Sequence, residues 1–365
     1  MATRAPYHPL CCSHIRLENS PHVRGRVENK SHIDERRDIA CAYKWLGYSP
    51  YCQLVLWWNR NFLQTGPTCT REIIQIGENK RDLSFLTSLP GATERLKIFT
   101  ADLSNPDSFY AAVEGCTGVF HVATPVDFQD NEPEQVVTKR SIDGAIGILK
   151  ACLNAKTVKR VVYTSSASAV MFGSGKDVEE VDESFWSDID YIRSVKPYGG
   201  SYVISKRLTE KAVLEFSEKY GLDVVTVIPS FIAGPFICPK LPSSVQSTLA
   251  MVFGKLEDFR FLINIPLVHV DDVASAHIFL LEHHDAKGRY NCSSHVITLV
   301  QMAEFLSAKY PEFQIPSVSY LSEVKGDKTP GLSSKKLLDS GFRFKYGVDE
   351  ILSDAIQCCK ENNYL

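Results

Sequence analysis

A helix that runs directly into a strand is encoded by residues 201–229, SYVISKRLTEKAVLEFSEKYGLDVVTVIP. In its first part, apolar residues recur every three to four positions, as on the buried face of an amphipathic helix. Gly221 is suited to end that helix as a left-handed cap. The following run, DVVTVIP (223–229), is rich in β-branched residues and predicts a buried strand. A helix leading into such a strand is the repeating unit of a parallel α/β sheet.

The same alternation continues on the N-terminal side of this helix and strand. Amphipathic patterns predict further helices in NPDSFYAAVEG and EPEQVVTKRSIDGAIGILKACLNA. Strands that are apolar throughout and alternate with helices predict a parallel sheet covered on both faces, the doubly wound (Rossmann-like) α/β class. The additional predicted strands are EIIQI (72–76), LKIFTADL (96–103), VFHVAT (119–124) and RVVYTSS (160–166).

The chain changes character after Pro229. Four prolines, beginning with Pro229, break the region around FIAGPFICPKLP into loops, and three helical patterns follow it. One of them, DDVASAHIFLLEH, starts with aspartates that are suited to cap a helix. We therefore expect an atypical N-terminal segment (1–70), a Rossmann-like core (71–230), and a smaller C-terminal lobe (231–365) with helices that return to the core.

The composition excludes several classes of protein. The chain has 365 residues, of which 44% are hydrophobic and 23% charged, and its net charge is −3, so it is neither a disordered chain nor an electrostatic nucleic-acid binder. It has no run of about 18 apolar residues that would predict a membrane-spanning helix. The opening MATRAPYHPLCCSHIR lacks the apolar core of a secretory signal. We expect a cytoplasmic protein with no nucleic-acid or membrane partner.

The eleven cysteines argue against disulfides and metal. Their number is odd, the chain carries no export signal, and no CxxC pair occurs. The adjacent pairs Cys11-Cys12 and Cys358-Cys359 are poorly spaced for zinc. We therefore expect scattered reduced thiols and no metal site.

A serine, a tyrosine and a lysine form the main candidate for chemistry. Tyr202 and Lys206 lie four residues apart in YVISK, so they share one face of the predicted helix. A tyrosine is a poor acid at neutral pH, but an ammonium group one turn away lowers its pKa. Ser166 ends the strand RVVYTSS, at the sheet edge where ligands of doubly wound folds bind. The Tyr-x-x-x-Lys spacing arises by chance about once in such a chain, so the hypothesis depends on this context.

From about residue 78 to residue 365, the sequence resembles the plant dihydroflavonol-reductase-like branch of the extended short-chain dehydrogenase/reductases. Several runs are most similar to the isoflavonoid-reducing members of that branch. The similarity covers about four-fifths of the chain and is highly specific. It is carried by KRDLSFLTSLPGA, ADLSNPDSF, GVFHVATPVDF, SIDGAIGILKAC, RVVYTSSASAV, DESFWSD, SVKPYGG, YVISKRLTEKAV, VIPSFIAGPF, VHVDDVASAHI and GRYNCSS.

The resemblance implies reduction of a ketone to an alcohol with NADP as cofactor, on an isoflavonoid or flavonoid-type phenolic substrate. In that reaction Tyr202 would be the general acid, Lys206 would lower its pKa and hold the nicotinamide ribose, and Ser166 would hydrogen-bond the substrate carbonyl. Hydroxyl donors aimed at that oxygen stabilise the charge that develops on it. The core would bind the dinucleotide and the lobe the substrate. We expect a monomer whose partner is this small molecule.

The resemblance also implies a set of residues along the cofactor. Arg81 would contact the 2′-phosphate, although an exposed helix charge is an equally good interpretation of it. For Thr124 and Pro229, strand-end packing is the alternative. The implied cofactor residues are Arg81, Asp102, Leu103, Val122, Ala123, Thr124, Tyr202, Lys206, Pro229, Ser230, Phe231, Ile232 and Ser244.

Met171 occupies a substrate position in this resemblance. Dihydroflavonol reductases carry an asparagine there, five residues after the catalytic serine, and it touches the flavonoid ring. A methionine offers no amide to ring hydroxyls and suits a more apolar surface. This weighs against a dihydroflavonol substrate, and a simple packing role for Met171 remains open.

The largest departure from the family lies in residues 1–70. They contain five of the eleven cysteines and three of the four tryptophans, but only Gly25, Gly47 and Gly66, so the GxxGxxG turn that approaches the cofactor pyrophosphate is absent. The arginine expected after the second strand aligns near Ile74 and is missing. We predict that the first βα unit is atypical or missing and that the first 40 residues are disordered.

Two explanations of this departure remain open. Residues 1–70 are either translated upstream or intronic sequence in place of a first exon, or part of a divergent chain that lost cofactor binding. A sheet without its central strand would expose apolar edges and lose several kcal/mol of stability.

The alternatives for function follow from the same departure. One is the NADP-dependent ketone reductase. Another is an inactive or unstable relic with at most a partner-binding role. A third is a sugar-nucleotide epimerase, which shares the fold and the trio. Binding of NADPH distinguishes the first from the second, and assays with nucleotide sugars test the third.

Overall fold

The computed structural model of the chain describes most of the sequence from Leu83 onward and two short strands before it. All of the described residues belong to one compact unit. The described ranges are 39–43, 70–74, 83–103, 105–124, 132–173, 178–197, 199–255, 264–323 and 330–365.

A parallel sheet forms the centre of the fold. Seven strands of the described part pair in parallel, which confirms the doubly wound α/β prediction. They are β1 (Ile39–Tyr43), β2 (Thr70–Ile74), β3 (Leu96–Thr100), β4 (Gly118–His121), β5 (Arg160–Thr164), β7 (Val224–Pro229) and β10 (Gly288–Cys292). Their order across the sheet is β10-β7-β5-β4-β1-β2-β3.

The sequence predicts that the first βα unit is atypical or missing, and the structure shows that its strand is present. Strand β1 lies in the interior of the sheet, paired with β2 through Ile39↔Thr70 and with β4 through Ile39↔Gly118. The run IACAY is short and has little periodicity, so the sequence alone does not predict it as a strand. Ladder hydrogen bonds come from the backbone. Strand β1 can therefore pair with β2 and β4 although the GxxGxxG motif is absent from the sequence after it. The region of that turn, residues 44–69, lies outside the described residues.

Two smaller sheets belong to the C-terminal half of the chain. Strand β9 pairs in parallel with β8 and antiparallel with β11. Strands β6 and β12 form a two-stranded parallel ladder. Their bounds are β6 Glu180–Val181, β8 Phe231–Ala233, β9 Asn264–His269, β11 His295–Thr298 and β12 Gly331–Leu332.

Helices cover both faces of the central sheet. The 3₁₀ turns are Pro106–Phe109 and Ala167–Ala169. The α-helices are α1 Ser84–Thr87, α2 Ala92–Arg95, α3 Tyr110–Val113, α4 Glu134–Ala155, α5 Ile189–Val195, α6 Gly200–Tyr220, α7 Ser243–Thr248, α8 Val270–Glu282, α9 Leu299–Lys309, α10 Val318–Ser322, α11 Lys335–Asp339 and α12 Val348–Glu361.

The ends of α6 and α8 follow from local sequence. Gly221 ends α6 with φ +69° and donates its N–H to the Ser217 carbonyl, which confirms the predicted cap. Helix α8 is capped differently from the prediction, because the ring Nδ1 of His269 accepts the Asp271 N–H at 3.1 Å. The aspartates instead lie in the first turn of α8, where their charge suits the positive end of the helix.

The hydrophobic core has two layers, one on each face of the sheet. Alternate residues of one strand point into opposite layers, as Val161 and Val162 of β5 do. The first layer packs under α4 and α6 with Ile148 and Val213. The second packs under α8 and α12 with Val273 and Ile351. This arrangement explains why the strands are apolar throughout.

Several predictions concern features that the described residues show only in part. No described helix is long and apolar enough to cross a membrane, and the same residues hold no cluster suited to a metal ion. The six cysteines from Cys116 to Cys359 are free and buried. The predicted disorder of the first 40 residues is wrong for Ile39 and Ala40, which begin β1, and residues 1–38 lie outside the described residues. The division into a core (71–230) and a lobe (231–365) stays a prediction.

Candidate active site

Lys206 lies fully buried at the edge where the parallel strands end. Its Nζ donates to the Thr164 carbonyl at 2.7 Å and to the Thr124 hydroxyl at 3.2 Å. The same ammonium lies 5.0 Å from the centre of the Tyr163 ring, within cation–π range. These contacts fix α6 against the carboxyl ends of β4 and β5, where doubly wound folds bind their ligands.

Burial sets the electrostatics around this lysine. Desolvation lowers the pKa of Lys206 to about 7, and the carboxylate of Glu210 opposes that shift. Burial also lowers the pKa of His121 to about 3, helped by the nearby Lys206 charge. A lysine with a pKa near neutrality is suited to proton chemistry at physiological pH.

The structure brings the other two predicted residues to the same sheet edge. Tyr202 lies one turn before Lys206 on α6 and is only 4% exposed. Ser166 follows β5 and caps the 3₁₀ turn Ala167–Ala169, and its Oγ accepts the Ser168 N–H at 3.2 Å. Helix α6 packs against that turn. A strand-end hydroxyl, a phenol and an ammonium group therefore share one region.

One segment expected along the dinucleotide contacts this trio, and other predicted cofactor residues are buried. Thr124 contacts Lys206 directly, with Val122 and Ala123 buried just before it. Beyond β7, Ser230 is buried and its hydroxyl has no hydrogen-bond partner among the described residues, and the same holds for Ser244 on α7. A buried hydroxyl without a partner is unfavourable by about 1–3 kcal/mol. A bound cofactor that donates to or accepts from these hydroxyls would remove that cost, so their chemistry is compatible with the predicted cofactor role.

The remaining predicted residues differ in how they are placed. Pro229 and Ile232 are buried, while Phe231 is half-buried. Asp102 is half-buried, and its backbone N–H donates to Ser108 Oγ at 2.8 Å. The side chain of Leu103 packs against Gly144 of α4, where an added Cβ would lie 2.9 Å from Leu103 Cδ2.

Met171 and Arg81 are two further predicted site residues. Met171 is 3% exposed and packs in an apolar cluster with Val170 and Ile228. This burial fits the packing role, and contact of Met171 with a substrate stays a prediction. Arg81 lies outside the described residues.

Sequence reasoning missed a buried ion pair beside the trio. Glu210 and Arg289 form a salt bridge of 3.0 Å with side-chain exposures of 0% and 8%. The guanidinium lies 3.6 Å from the centre of the Trp186 ring. One signal was available, because Glu210 follows Lys206 by four residues and so continues the Tyr202–Lys206 face of α6.

Three buried histidines make the fold sensitive to acid. Burial lowers the pKa to about 3 for His121 and to about 4 for His269 and His277, against about 6.5 in the unfolded chain. The native state then binds fewer protons than the unfolded state below pH 6.5. Stability present at pH 7 is therefore lost as the pH falls from 6.5 toward 4, by about 3 kcal/mol per histidine.

Urea unfolding at pH 7 and pH 4.5 measures this acid sensitivity. We expect a large drop in the free energy of unfolding for the native chain and a smaller drop for His121→Leu, which removes one titrating ring. The control His284→Gln changes an exposed histidine and should match the native chain. An equal drop in all three proteins would contradict the assignment to buried histidines.

Comparison with known proteins places this geometry in a family. Residues 65–293 match the family described as "NAD dependent epimerase/dehydratase family". Vestitone reductase of Medicago sativa is 56% identical over 309 residues, which cover 85% of this chain and 94% of that protein. Its crystal structure superposes with a TM-score of 0.79 and 51% identity, over 90% of this chain and 99% of that chain.

Two further relatives have similar sequences. Protein BRI1-5 ENHANCED 1 of Arabidopsis thaliana is 51% identical over 79% of this chain and 80% of its own length. Dihydroflavonol 4-reductase of Hordeum vulgare is 42% identical over 85% of this chain and 86% of its own. The resemblance predicted from the sequence is confirmed. The chain belongs to the NAD dependent epimerase/dehydratase family and, within it, to the plant dihydroflavonol-reductase-like branch of the extended short-chain dehydrogenase/reductases.

Proposed function

We propose that this protein is an NADPH-dependent reductase that converts a ketone of an isoflavonoid or flavonoid-type phenolic substrate into an alcohol. The observation that carries the proposal is the buried Lys206 ammonium, held by Thr124 and Thr164 one turn from Tyr202. The 56% identity to vestitone reductase supports this substrate class. The chain is thus an oxidoreductase that acts on C=O and CH–OH groups and uses a nicotinamide cofactor.

Each residue of the trio has one role in the proposed reaction. Tyr202 gives its phenol proton to the carbonyl oxygen as negative charge develops there. Lys206 lowers the pKa of that phenol through its positive charge, and Ser166 donates a hydrogen bond to the same oxygen. When bound, NADPH supplies the hydride from C4 of its nicotinamide ring.

The surrounding residues would hold the cofactor and shape the substrate site. Ser230 and Ser244 have buried hydroxyls that suit the nicotinamide half of the dinucleotide, and Lys206 suits its ribose. At position 171 the chain presents a packed methionine instead of an amide. That difference supports a ketone other than a dihydroflavonol. We further propose that the protein acts as a monomer in the cytoplasm.

Binding and turnover test the proposal together. We expect NADPH to quench protein fluorescence with a dissociation constant in the micromolar range, and NADH to bind more weakly. Vestitone, for which the Medicago sativa relative is named, is the first ketone to assay, and a dihydroflavonol is the comparison substrate. Consumption of NADPH with vestitone and little with the dihydroflavonol would support the proposal. NADPH binding without reduction of any phenolic ketone would contradict it.

The absence of GxxGxxG from residues 1–70 favours one competing function. Without that turn the chain would lack close backbone approach to the pyrophosphate, and it would then be a relic with at most a partner-binding role. The same titration decides between them, because a relic does not bind NADPH in the micromolar range. A transcript whose 5′ end encodes GxxGxxG in frame before ENKRDLSFL would assign residues 1–70 to a different origin.

A further inference from the structure

A buried carboxylate lies one turn beyond Lys206 on α6. Glu210 is fully buried, and its two oxygens accept four hydrogen bonds. Oε1 accepts from the Thr226 hydroxyl at 2.8 Å and from Arg289 Nε at 3.0 Å. Oε2 accepts from the Ser165 hydroxyl at 2.7 Å and from a terminal nitrogen of Arg289 at 3.2 Å. A buried charge with this many donors is held in one geometry.

Arg289 is just as tightly held on its other side. Its second terminal nitrogen donates to the carbonyls of Glu183 and Phe185, each at 2.7 Å. Its guanidinium stacks on the Trp186 ring, with 3.6 Å between the guanidinium carbon and the ring centre. The pair therefore ties α6 to β10 and to the loop before α5, and Arg289 donates four hydrogen bonds in doing so.

The Glu210–Arg289 pair lies next to the strand end that carries Ser166 and the Lys206 anchor. Ser165, which donates to Glu210, stands between Thr164, whose carbonyl binds Lys206, and Ser166. One carboxylate therefore holds the strand end from which both the lysine anchor and the proposed carbonyl-binding serine project. The same carboxylate supplies negative charge one turn from the ammonium.

We propose that the Glu210–Arg289 pair is a positioning element of the active site, in which Glu210 fixes the Thr164–Ser166 strand end and places its negative charge one turn from the Lys206 ammonium. This inference rests on the proposed function, in which that ammonium lowers the pKa of Tyr202. Neither residue touches the reacting atoms, and Glu210 acts through Lys206 and Ser165.

Among the groups close to Lys206, Glu210 is the one whose charge raises the pKa of the lysine. Tyr202 and Glu210 lie one turn from Lys206 on its own helix. Tyr163 of β5 and His121 of β4 interact with it, and the Arg289 cation is bound to the far side of Glu210. Burial keeps His121 neutral, because it lowers the pKa of that ring to about 3. Among the described residues, Glu210 is the carboxylate that raises the pKa of Lys206 against its desolvation.

The first test is Glu210→Gln, with titration of the Lys206 side chain by NMR in [¹³Cε]lysine-labelled protein. The signal is assigned by its loss in Lys206→Met. We expect the Lys206 pKa to fall by about one unit, which corresponds to a tenfold change in the protonation equilibrium. The high-pH limb of kcat for ketone reduction should move down by the same interval. Glu215→Gln is the matched control, since it makes the same change at an exposed position on the same helix.

Two further variants separate this role from a merely structural one. Glu210→Gln leaves the Arg289 cation buried without its partner, so the double variant Glu210→Gln/Arg289→Met removes both charges and protects folding. It should show the same downward shift of the Lys206 titration. Glu210→Asp keeps the charge and should restore the titration toward that of the native chain. A folded double variant with an unchanged Lys206 titration and pH profile would overturn the inference.

The same experiment separates the inference from the proposed function. If the native chain reduces no phenolic ketone, the proposed function fails, and the NMR titration alone still decides whether Glu210 controls the Lys206 charge. If ketone reduction is present but the titration is unmoved in Glu210→Gln, the proposed function stands and the role of the pair is overturned.

Discussion

Replacing Tyr202 by phenylalanine is expected to lower kcat for ketone reduction by about a thousandfold, with NADPH binding changed less than about threefold. The change deletes one oxygen from a side chain that is only 4% exposed, so the ring continues to fill the same space. Lys206 keeps its contacts with Thr124 and Thr164, because neither involves the phenol. What disappears is the proton donor to the carbonyl oxygen.

Steady-state kinetics with NADPH and the best ketone measure this effect, and fluorescence titration measures cofactor affinity in parallel. Tyr220→Phe is the matched control, because it makes the same chemical change at an exposed position of the same helix. It should retain the native kcat. A Tyr202→Phe protein with native kcat would remove Tyr202 from the mechanism, and a thousandfold loss in both variants would indicate damage to α6 rather than loss of an acid.

The periodic parts of the fold could be predicted from the sequence because their signals are local. Gly221 ends α6 where its left-handed backbone is needed, and the β-branched run after it forms β7. Strand β1 was missed because its place as an interior strand is not set by local sequence. Its place is set by backbone pairing to β2 and β4, which lie far away in the sequence. The residues IACAY themselves have no pattern that predicts a strand.

The candidate site shows the same division between local and long-range information. Tyr202 and Lys206 could be proposed from their spacing on one helix face, and Ser166 from its place after a strand. The partner of Glu210 could not be found in that way, since Arg289 lies 79 residues further along the chain. The runs DESFWSD and GRYNCSS were visible as family resemblance, but only the fold shows that Trp186 and Arg289 stack.

A second buried arginine lies at the amino ends of the parallel strands, on the side of the sheet opposite the Lys206 site. We assign it a role in stability. Arg160 begins β5, and its guanidinium donates to Asp223 at 2.9 Å. It also donates to backbone carbonyls at and beyond the C-terminal end of α8, those of Leu280, His283, His284 and Ala286, at 2.6–3.3 Å. Carbonyls at a helix end have no partner within the helix, and a cation there also meets the negative end of the helix dipole.

Arg160→Met should therefore lower the free energy of unfolding by about 3–5 kcal/mol, because it removes these hydrogen bonds and leaves buried carbonyls without a donor. Arg160→Lys should fall between this variant and the native chain, since an ammonium cannot reproduce the planar fork. Urea unfolding at pH 7 gives the values, with Arg193→Met as the control. Arg193 also pairs with a carboxylate, that of Glu134, but its side chain is 53% exposed, so its loss should change stability by less than about 1 kcal/mol. Because Arg160 lies at the edge away from Lys206, the folded Arg160→Met protein should keep native kcat. Equal stability losses at the two arginines would show that burial and the helix-end carbonyls do not set the contribution of Arg160.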